Sequence, residues 1–393
     1  MSAPDYEVLI VGAGLVGLAL APALAHAGLR VALADHAPVA APDPPSGDAD
    51  WDTRVYAISP GSASFLRAEG AWQDLPRERI TAVESMHVEG DAGAALDFSA
   101  YELGERALAW IVEERALRAA LVPRVHAAGV TLLAPCALAS LAFGADRAML
   151  TTDHGATSSA RLVVGADGLR SWTRAAAGIV ATPRPYGQTA VVANFACARA
   201  HRGRAYQWFR PDGGILAWLP LAGRRLSMVW SAPEALAQEL LALPAPLLAE
   251  RVAEAGGRVC GELDCITPPA GFALQFLRPT AVVAHRLALV GDAAHGVHPL
   301  AGQGVNLGFG DARALASVLA ERGPLTDPGA PLLLDRYARL RAEPVRAMQS
   351  VTNALAHLFG TTMPWVKAAR NLGLAAVDRL PLAKRLLAQS ALR

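Results

Sequence analysis

The stretch Val8-Leu-Ile-Val-Gly-Ala-Gly-Leu-Val-Gly17 places four apolar residues directly before a glycine-rich turn. An uninterrupted apolar run of this kind is typical of a buried parallel strand. The residues that follow predict a helix that ends at Gly28, and residues 30–34 predict a second strand. Strand, turn, helix and strand in this order predict a β-α-β unit and therefore an α/β fold.

The three glycines of the turn are spaced as Gly-x-Gly-x-x-Gly. Gly12 permits the tight turn, Gly14 lets the backbone approach a pyrophosphate, and Gly17 allows the helix to pack closely on the strand. The first helical residues, Leu15 and Val16, lie at the positive end of the helix dipole, where N–H groups are free. The turn is therefore a candidate phosphate-binding loop.

An acidic residue follows the second strand in the expected register. Asp35 comes directly after this strand, where a carboxylate can accept hydrogen bonds from ribose hydroxyls. Such a residue suits an unphosphorylated ribose, which favours FAD or NAD over NADP. The alternative is a glycine-rich turn that serves packing alone. Because the strand, the helix and the acid all agree, dinucleotide binding is the preferred interpretation.

Two further buried strands are predicted to end in turns that contain glycine and aspartate. Residues 161–164 lead into Gly165-Ala-Asp-Gly168, in which Asp167 either serves a cofactor or only forms a turn or helix cap. Residues 287–290 lead directly into Gly291 and Asp292. Open α/β sheets bind ligands at the carboxyl ends of their strands, so the second aspartate is a candidate ligand site.

A second glycine-containing segment, after Asp292, is predicted to begin a helix. This segment comprises Gly302, Gln303, Gly304, Val305 and Asn306, and we expect the helix to end near Ala320. Its free N–H groups can face an acceptor such as a flavin ring oxygen. His295 and His298 stand nearby, but no further ligand candidates cluster with them, so we expect no metal site.

Composition bounds the class of protein. The 393 residues carry 36 Lys+Arg and 35 Asp+Glu, a net charge of +1, which excludes a chain that is basic throughout and wraps nucleic acid. With 53% hydrophobic residues, we expect a globular protein with a large core. Four cysteines are too few for a disulfide scaffold. The apolar run from Val8 contains three glycines and Pro22 and follows acidic residues, so it predicts neither a signal peptide nor a membrane span. We expect a cytoplasmic protein.

In combination, these motifs resemble the FAD-dependent aromatic hydroxylases of the p-hydroxybenzoate hydroxylase fold. Three segments carry the resemblance in order: GAGLVG at 12–17, GADGLRSWTR at 165–174 and GDAAHGVHPLAGQGVNLG at 291–308. Within this superfamily the chain is similar to the UbiH/UbiF type, the ubiquinone-biosynthesis hydroxylases. The closer resemblance rests on DTRVYAIS at 52–59, LAWIVE at 108–113 and Tyr337-x-x-x-Arg341. It covers nearly the whole chain.

The resemblance implies a Rossmann-like FAD-binding domain, an inserted, mainly β substrate domain and a C-terminal helical segment. It implies an FAD-dependent monooxygenase that uses NAD(P)H and O2 to hydroxylate the aromatic ring of a prenylated phenol in ubiquinone biosynthesis. The hydroxyl group would be delivered through a C4a-hydroperoxyflavin. Because the flavin carries this chemistry, we expect no catalytic side chain.

The resemblance also assigns roles to individual residues. Gly12, Gly14 and Gly17 would hold the FAD pyrophosphate, and Asp35 the adenosine ribose. Arg54 would contact the flavin side of the cofactor.

Later motifs receive roles as well. Asp167 would serve FAD and the nicotinamide donor, Asp292 would bind the ribityl chain, and residues 302–306 would line the isoalloxazine. One departure concerns the position after Ile-Val-Glu, where the family usually has Asn and this chain has Glu114. A second carboxylate near the cofactor would disfavour an anionic reduced flavin, so this glutamate is not among the expected site residues.

The middle of the chain predicts a separate sheet. Strand-like runs between residues 189 and 230, divided by Asp-Gly-Gly and Ala-Gly turns, predict antiparallel hairpins. We predict a discontinuous FAD-binding domain (1–75, 102–180 and 280–323), a substrate-binding β-sheet domain (76–101 and 181–279) and a C-terminal helical region (324–393). Within the last region we expect helix breaks at Pro344, Pro364 and Pro381.

Three alternatives stay open from the sequence: a flavin hydroxylase of a small soluble aromatic, a flavin reductase of the geranylgeranyl type, and a non-catalytic flavoprotein that scaffolds a biosynthetic complex. The chain has one strand–glycine turn–helix unit of this type, so we expect NAD(P)H to dock transiently. From Thr361 to Arg393, six basic residues accompany one acid. This tail either packs as an ordinary terminal helix or meets a partner protein or the anionic inner face of a membrane.

Overall fold

The structure is a computed structural model that describes residues 3–47, 50–298, 300–360, 363 and 370–372. The strands among these residues are β1 (Tyr6–Val11), β2 (Val31–Ala34), β3 (Val55–Ile58), β4 (Thr81–Val83), β5 (Ser85–Glu89), β6 (Ala95–Ser99), β7 (Ala109–Glu113), β8 (Thr131–Leu133), β9 (Leu138–Phe143), β10 (Ala148–Thr152), β11 (Thr157–Gly165), β12 (Arg184–Cys197), β13 (Arg204–Phe209), β14 (Ile215–Leu221), β15 (Arg225–Pro233), β16 (Leu263–Cys265), β17 (Ala270–Phe276), β18 (Val283–Ala284) and β19 (Leu287–Leu289). The α-helices are α1 (Leu15–His26), α2 (Pro60–Ala68), α3 (Ala100–Leu103), α4 (Glu114–Ala127), α5 (Trp172–Ala176), α6 (Glu234–Ala242), α7 (Ala245–Ala255), α8 (Gly304–Ala320) and α9 (Pro331–Gly360).

The glycine-rich turn joins β1 to α1 at the centre of a mostly parallel sheet. The order of this sheet is β18-β19-β11-β1-β2-β8, and β1 pairs in parallel with β2 on one side and with β11 on the other. β19 pairs in parallel with β11. The turns after β1, β11 and β19 therefore lie at the same edge of the sheet. The predicted β-α-β unit and α/β fold class are confirmed.

Helices cover one face of this sheet. α1 packs against α4 and α8, and their buried apolar residues form one cluster with those of β1 and β2. α8 ends at Ala320, as the sequence predicts. A Cβ on Gly308, in the second turn of α8, would lie 2.5 Å from the Val16 side chain, so the start of α8 lies beside the glycine-rich turn.

Two glycines fix the approach of α1 to the sheet. Gly12 has a φ of +110°, and a Cβ on it would lie 2.5 Å from the Ala166 carbonyl oxygen. A Cβ on Gly17 would lie 2.0 Å from the Gly12 carbonyl oxygen. Both contacts are with backbone, which cannot swing aside. These glycines are therefore needed for the turn itself.

The inserted sheet is mainly antiparallel. Its order is β16-β12-β15-β14-β13-β5-β6, and β17 also pairs with β12. The predicted hairpins are present as β13–β14 and β14–β15. Helices α6 and α7, which the hairpin pattern did not predict, pack with its rear face around Trp218 and Trp230.

A small third sheet connects the two larger ones. β3, β7 and β4 pair in the order β3-β7-β4. A buried ion pair braces it, since Arg79 Nε lies 2.9 Å from Glu113 Oε2. β4 thus pairs with a strand of the predicted FAD-binding domain, although residues 76–101 were assigned to the substrate domain. The domain boundaries stay a prediction.

The C-terminal region contains one long helix. α9 continues through Pro344, so the predicted helix break at this residue is wrong. Hydrogen bonds before and after Pro344 hold the helix in place. Tyr337 Oη donates to the Leu289 carbonyl oxygen, and Gln349 Nε2 donates to the Leu277 carbonyl oxygen. Pro364 and Pro381 lie outside the described residues, as does most of the basic tail. No helix of the described part of the chain is both long and apolar enough to cross a membrane.

The close approach at Gly17 predicts a stability effect. Gly17→Ala places a methyl group against the Gly12 carbonyl and should lower the free energy of unfolding by roughly 3 kcal/mol, at the upper end for overpacking. Gly14→Ala, on the same turn, has open space around its Cβ and should change it by less than about 1 kcal/mol. Urea denaturation of the FAD-free proteins measures both. Equal losses would contradict the packing role of Gly17.

Candidate active site

A cavity of about 2040 Å³ opens at the carboxyl edge of the parallel sheet. Its walls come from the glycine-rich turn, the ends of β11 and β19, the third sheet, one face of the antiparallel sheet, and helices α8 and α9. Pockets for drug-sized ligands usually measure about 300–1,000 Å³. This cavity therefore has room for a dinucleotide and a second molecule together.

The glycine-rich turn offers a cradle for phosphate. Gly14, Leu15 and Val16 line the cavity, and a Cβ on Gly14 would meet nothing within 4 Å. No side chain caps the N-terminus of α1, so its first N–H groups face this space uncapped. Free N–H groups at a helix start are the partners that a pyrophosphate requires. The turn therefore fits FAD.

Asp35 holds the same turn from the side. Its Oδ2 accepts the Ala13 N–H at 2.6 Å, and its Oδ1 accepts the Ala37 N–H at 2.8 Å. Arg118 Nη1 donates to the Ala13 carbonyl oxygen at 2.9 Å. The Asp35 side chain does not line the described cavity. The hydrogen bond from Asp35 to the adenosine ribose stays a prediction. In the structure this carboxylate also stabilises the glycine-rich turn.

The Asp167 carboxylate accepts hydrogen bonds from residues that follow it closely in the chain. Its Oδ1 accepts the Ser171 hydroxyl at 2.5 Å, and its Oδ2 accepts the Thr173 N–H at 2.8 Å. Ser171 in turn caps α5 by accepting the Arg174 N–H. The turn-and-cap interpretation thus describes what Asp167 does in this structure, and its service to FAD stays a prediction. The next residues, 168–170, line the cavity instead.

Three polar side chains meet at the centre of the cavity. Arg54 Nη1 lies 3.1 Å from Glu114 Oε2, and the Tyr56 hydroxyl donates to the same oxygen at 3.4 Å. All three residues line the cavity, as does Asp292. The antiparallel pairing of β3 with β7 brings Arg54 and Glu114 together, because each lies at the end of a paired strand.

Tyr56 is not among the residues that the sequence predicts for the site, and Glu114 was not expected there. The available signal was position: Glu114 follows a buried strand directly and begins a helix. The negative charge of Glu114 was expected to oppose an anionic flavin. In the structure the Arg54 guanidinium pairs with this carboxylate. The two charges compensate each other within the cavity.

Burial sets the charge states around this centre. Burial raises the pKa of the Tyr56 hydroxyl, against the opposing charge of Arg54, so this group stays a hydrogen-bond donor at neutral pH. Asp292 lines the open cavity, where it is exposed. The protein around it still desolvates its carboxyl and raises its pKa, although His295 and Arg54 lower it. No described residue donates a hydrogen bond to this carboxyl, and a bound polyol would supply such partners.

A buried hydrogen-bond network around Asp311 holds the turn that carries Asp292. Asp311 Oδ2 accepts the Gly291 N–H at 2.9 Å and lies 2.6 Å from His295 Nε2. Arg341 Nε donates to Asp311 Oδ1 at 2.6 Å. Burial alone would lower the pKa of the His295 imidazole. The charge and the hydrogen bond of the neighbouring Asp311 carboxylate together have the larger effect, so this pKa is raised. The network fixes the turn that carries Asp292.

The start of α8 closes the flavin end of the cavity. Gly302, Gln303, Gly304, Val305 and Asn306 all line it. The Asn306 amide also holds β3, because its Oδ1 accepts the Ser59 N–H at 3.0 Å and its Nδ2 donates to the Ala57 carbonyl oxygen at 2.8 Å. Of the predicted site residues, Gly12, Gly17, Asp35 and Asp167 lie behind the cavity wall and the others line it.

Comparison with known proteins places this geometry in a family. Residues 5–353 match the FAD binding domain family. The chain is 40% identical over 390 residues to the ubiquinone hydroxylase UbiL of Rhodospirillum rubrum, covering 98% of this chain and 89% of the relative. The chain belongs to the FAD-dependent ubiquinone-biosynthesis hydroxylases.

Two further similarities agree with this membership. The hydroxylase is 35% identical to the 3-demethoxyubiquinol 3-hydroxylase of Escherichia coli, with 96% of each chain covered. Its fold matches that of p-nitrophenol 4-monooxygenase from Pseudomonas putida, with a TM-score of 0.78, 19% identity and 98% coverage of both chains. The predicted family, fold, enzyme class and FAD cofactor are confirmed.

The open space at Gly14 predicts the effect of filling it. In the hydroxylase, Gly14→Val puts a side chain where the pyrophosphate must lie, and its φ of −72° is accessible to any residue. Purified Gly14→Val should therefore fold but contain less than a tenth of the FAD of the wild type. Absorbance at flavin wavelengths gives the FAD content, and thermal unfolding of the FAD-free protein controls for the fold. A folded variant with full FAD would contradict the cradle.

His298 predicts a pH dependence of stability. It is fully buried, Gln188 Oε1 lies 2.9 Å from its Nε2, and burial lowers its pKa to about 4. In the unfolded chain its pKa is about 6.5, so the unfolded state binds the proton more tightly and stability falls as the pH drops from 6.5 towards 4. From pH 7 to pH 5 this loss is about 2 kcal/mol.

Urea unfolding of His298→Gln should therefore show a shallower loss of stability over this range than the wild type. His154→Gln serves as the control, because the His154 side chain is 90% exposed and should leave the slope unchanged. A slope that is the same in all three proteins would show that His298 is not held neutral.

Proposed function

We propose that the enzyme hydroxylates the aromatic ring of a prenylated phenol in the ubiquinone pathway, with FAD as cofactor and NAD(P)H and O2 as co-substrates. The observation that carries this proposal is the shape of the cavity. Beyond Arg54 and Asp292 the cavity continues between the antiparallel sheet and α9 as an apolar limb. A flavin hydroxylase of small polar aromatics would have no use for such a limb.

The apolar limb is lined almost entirely by hydrocarbon. It is formed by Val88, Leu96, Phe98, Phe209, Ile215 and Leu355. Each isoprenoid unit buried there gains free energy at about 25 cal/mol per Å² of apolar surface. The limb therefore suits a substrate whose head is an aromatic ring and whose tail is a long hydrocarbon chain.

Residues of the cavity wall would hold FAD. The N–H groups of Leu15 and Val16 would bind the pyrophosphate, Asp292 the ribityl hydroxyls, and the start of α8 the isoalloxazine end. When bound, FAD supplies the activation of O2 that ring hydroxylation requires. The N–H groups at the start of α8 lie where they can stabilise negative charge on a ligand.

The protein's own contribution is orientation and the exclusion of water. The apolar limb places the ring of the substrate near Arg54 and Tyr56 by binding its tail. The Tyr56 hydroxyl donates to Glu114, and Arg54 compensates the charge of this carboxylate. NAD(P)H docks transiently, and the enzyme works at the periphery of a membrane.

Blocking the apolar limb tests the proposal. Ala217 of β14 lines the cavity, and Ala217→Trp fills the limb. We expect the variant to raise the KM for a phenol with a long prenyl chain by tenfold or more, and to change the KM for the same phenol without the chain by less than twofold. Product formation by the FAD-loaded enzyme, measured by mass spectrometry, gives both values.

Product formation by the wild-type enzyme is a second test of the proposed substrate class. It should form a hydroxylated product from the prenylated phenol with NAD(P)H oxidation in equal amount. Oxidation of NAD(P)H without a hydroxylated product from any prenylated phenol would overturn the proposed substrate class.

A further inference from the structure

Gln207 places a side-chain amide at the cavity without a hydrogen-bond partner. This residue of β13 lines the cavity and is only 6% exposed. Its side chain forms no hydrogen bond with any described residue. The next residue, Trp208, packs into the cluster on the rear face of the antiparallel sheet. Because side chains alternate along a strand, the Gln207 amide points to the opposite face, towards the cavity.

The neighbours of Gln207 on the adjacent strands are apolar. Gln207 pairs with Val88 of β5 on one side and with Ala217 of β14 on the other. The same row continues through Val229 of β15 and Val192 of β12. All four neighbours line the cavity, and none of their side chains has a polar atom. Gln207 is therefore the polar member of an otherwise apolar row.

The other polar residues that this sheet contributes to the cavity wall lie elsewhere. Ser231 belongs to β15, two strands from β13, which corresponds to about 10 Å. Gln275 belongs to β17, four strands away. The Tyr206 ring stacks on the Trp208 ring, with 5.4 Å between their centroids. The amide of Gln207 thus lies in an apolar patch of the described cavity wall.

A buried amide without a partner is costly to a protein. Most buried polar side-chain atoms form a hydrogen bond, because burial without one removes the group from water and returns nothing. A leucine or methionine at position 207 would fill similar space and extend the apolar wall without this cost. The unpaired amide therefore points to a ligand that supplies the missing partner.

Gln207 lies where the apolar limb meets the flavin end of the cavity. Val88, directly opposite Gln207, belongs to the apolar limb. Phe209, which faces the same side of the sheet, packs in one buried cluster with Leu300. Leu300 lies two residues before Gly302, the first residue of the segment that lines the flavin end. A substrate whose tail fills the limb would have its ring at this junction.

We propose that the Gln207 amide binds the phenol hydroxyl of the substrate and so fixes the orientation of its ring. This inference rests on the proposed function. An amide donates through Nε2 and accepts through Oε1, so it can pair with both the oxygen and the proton of a hydroxyl group. A ring held by its tail alone would be free to rotate about the bond to the tail. The second anchor determines which ring carbon faces the flavin end.

Two ligands that differ only in the hydroxyl group test this contact. One is a prenylated phenol, and the other has hydrogen in place of its hydroxyl. Titration of the full-length, FAD-loaded enzyme without NAD(P)H, followed by flavin absorbance, gives both dissociation constants. The wild type should bind the phenol about tenfold more tightly or better, since one satisfied hydrogen bond separates the two ligands.

Gln207→Met keeps the length of the side chain but removes the amide. In this variant the ratio of the two dissociation constants should fall to about one, because a hydroxyl buried without a partner gains nothing. The affinity for the ligand without the hydroxyl should change by less than about threefold. Gln207→Leu repeats the test with a second apolar side chain, and FAD content and thermal unfolding control for the fold.

The chain offers two matched controls. Gln238→Met makes the same chemical change in α6, where the amide donates to Glu234 Oε1 at 2.8 Å and does not line the cavity. Ser231→Ala removes a hydroxyl from the cavity wall two strands away. Both variants should keep the wild-type ratio. A ratio that is lost in Ser231→Ala and kept in Gln207→Met would overturn the proposal, as would equal weakening of both ligands in Gln207→Met.

Further outcomes separate this inference from the proposed function. A wild type that hydroxylates a prenylated phenol, but binds it no more tightly than the ligand without the hydroxyl, overturns the role of Gln207 and leaves the proposed function intact. A wild type that neither binds nor hydroxylates any prenylated phenol overturns both. Loss of the ratio in the two Gln207 variants, with both controls unchanged, supports the proposal.

Discussion

The carboxylate of Asp311, a residue of α8 that is only 1% exposed, binds three groups from two separate parts of the chain. It binds the Gly291 N–H of the turn after β19, His295 of the same segment, and Arg341 of α9. Burial would raise its pKa, but the charges of His295 and Arg341 lower it, so it stays ionised. Removing one partner of such a buried group costs about 3–5 kcal/mol.

The rest of the site depends on this arrangement. The Gly291 turn, held by Asp311, carries Asp292 into the cavity, and the Arg341 bond joins α9 to α8 in the cavity wall. Tyr337, one helical turn earlier, adds a bond to the end of β19. The family's Tyr-x-x-x-Arg pair therefore has a physical meaning: it ties the wall of the apolar limb to the flavin end of the cavity.

The cavity combines a compensated pair of charges with a largely apolar wall. Arg54 and Glu114 compensate each other, Tyr56 donates to the pair, and the remaining wall is largely apolar. A dry cavity protects reactive species from water, and the flavin supplies reactivity that no side chain offers.

The sequence by itself determined the local elements and their order. The apolar run of β1, the positions of Gly12 and Gly17, the hairpins and the helix that begins at Gly304 follow from periodicity and backbone geometry, which neighbouring residues encode. Tertiary structure alone decided which groups meet. It brought Glu114 to Arg54 across two strands, and it kept α9 continuous through Pro344 by packing on both sides of this proline. It also made an apolar face of α9 part of the cavity wall, because the surroundings of a helix face depend on the whole fold and not on the helix alone.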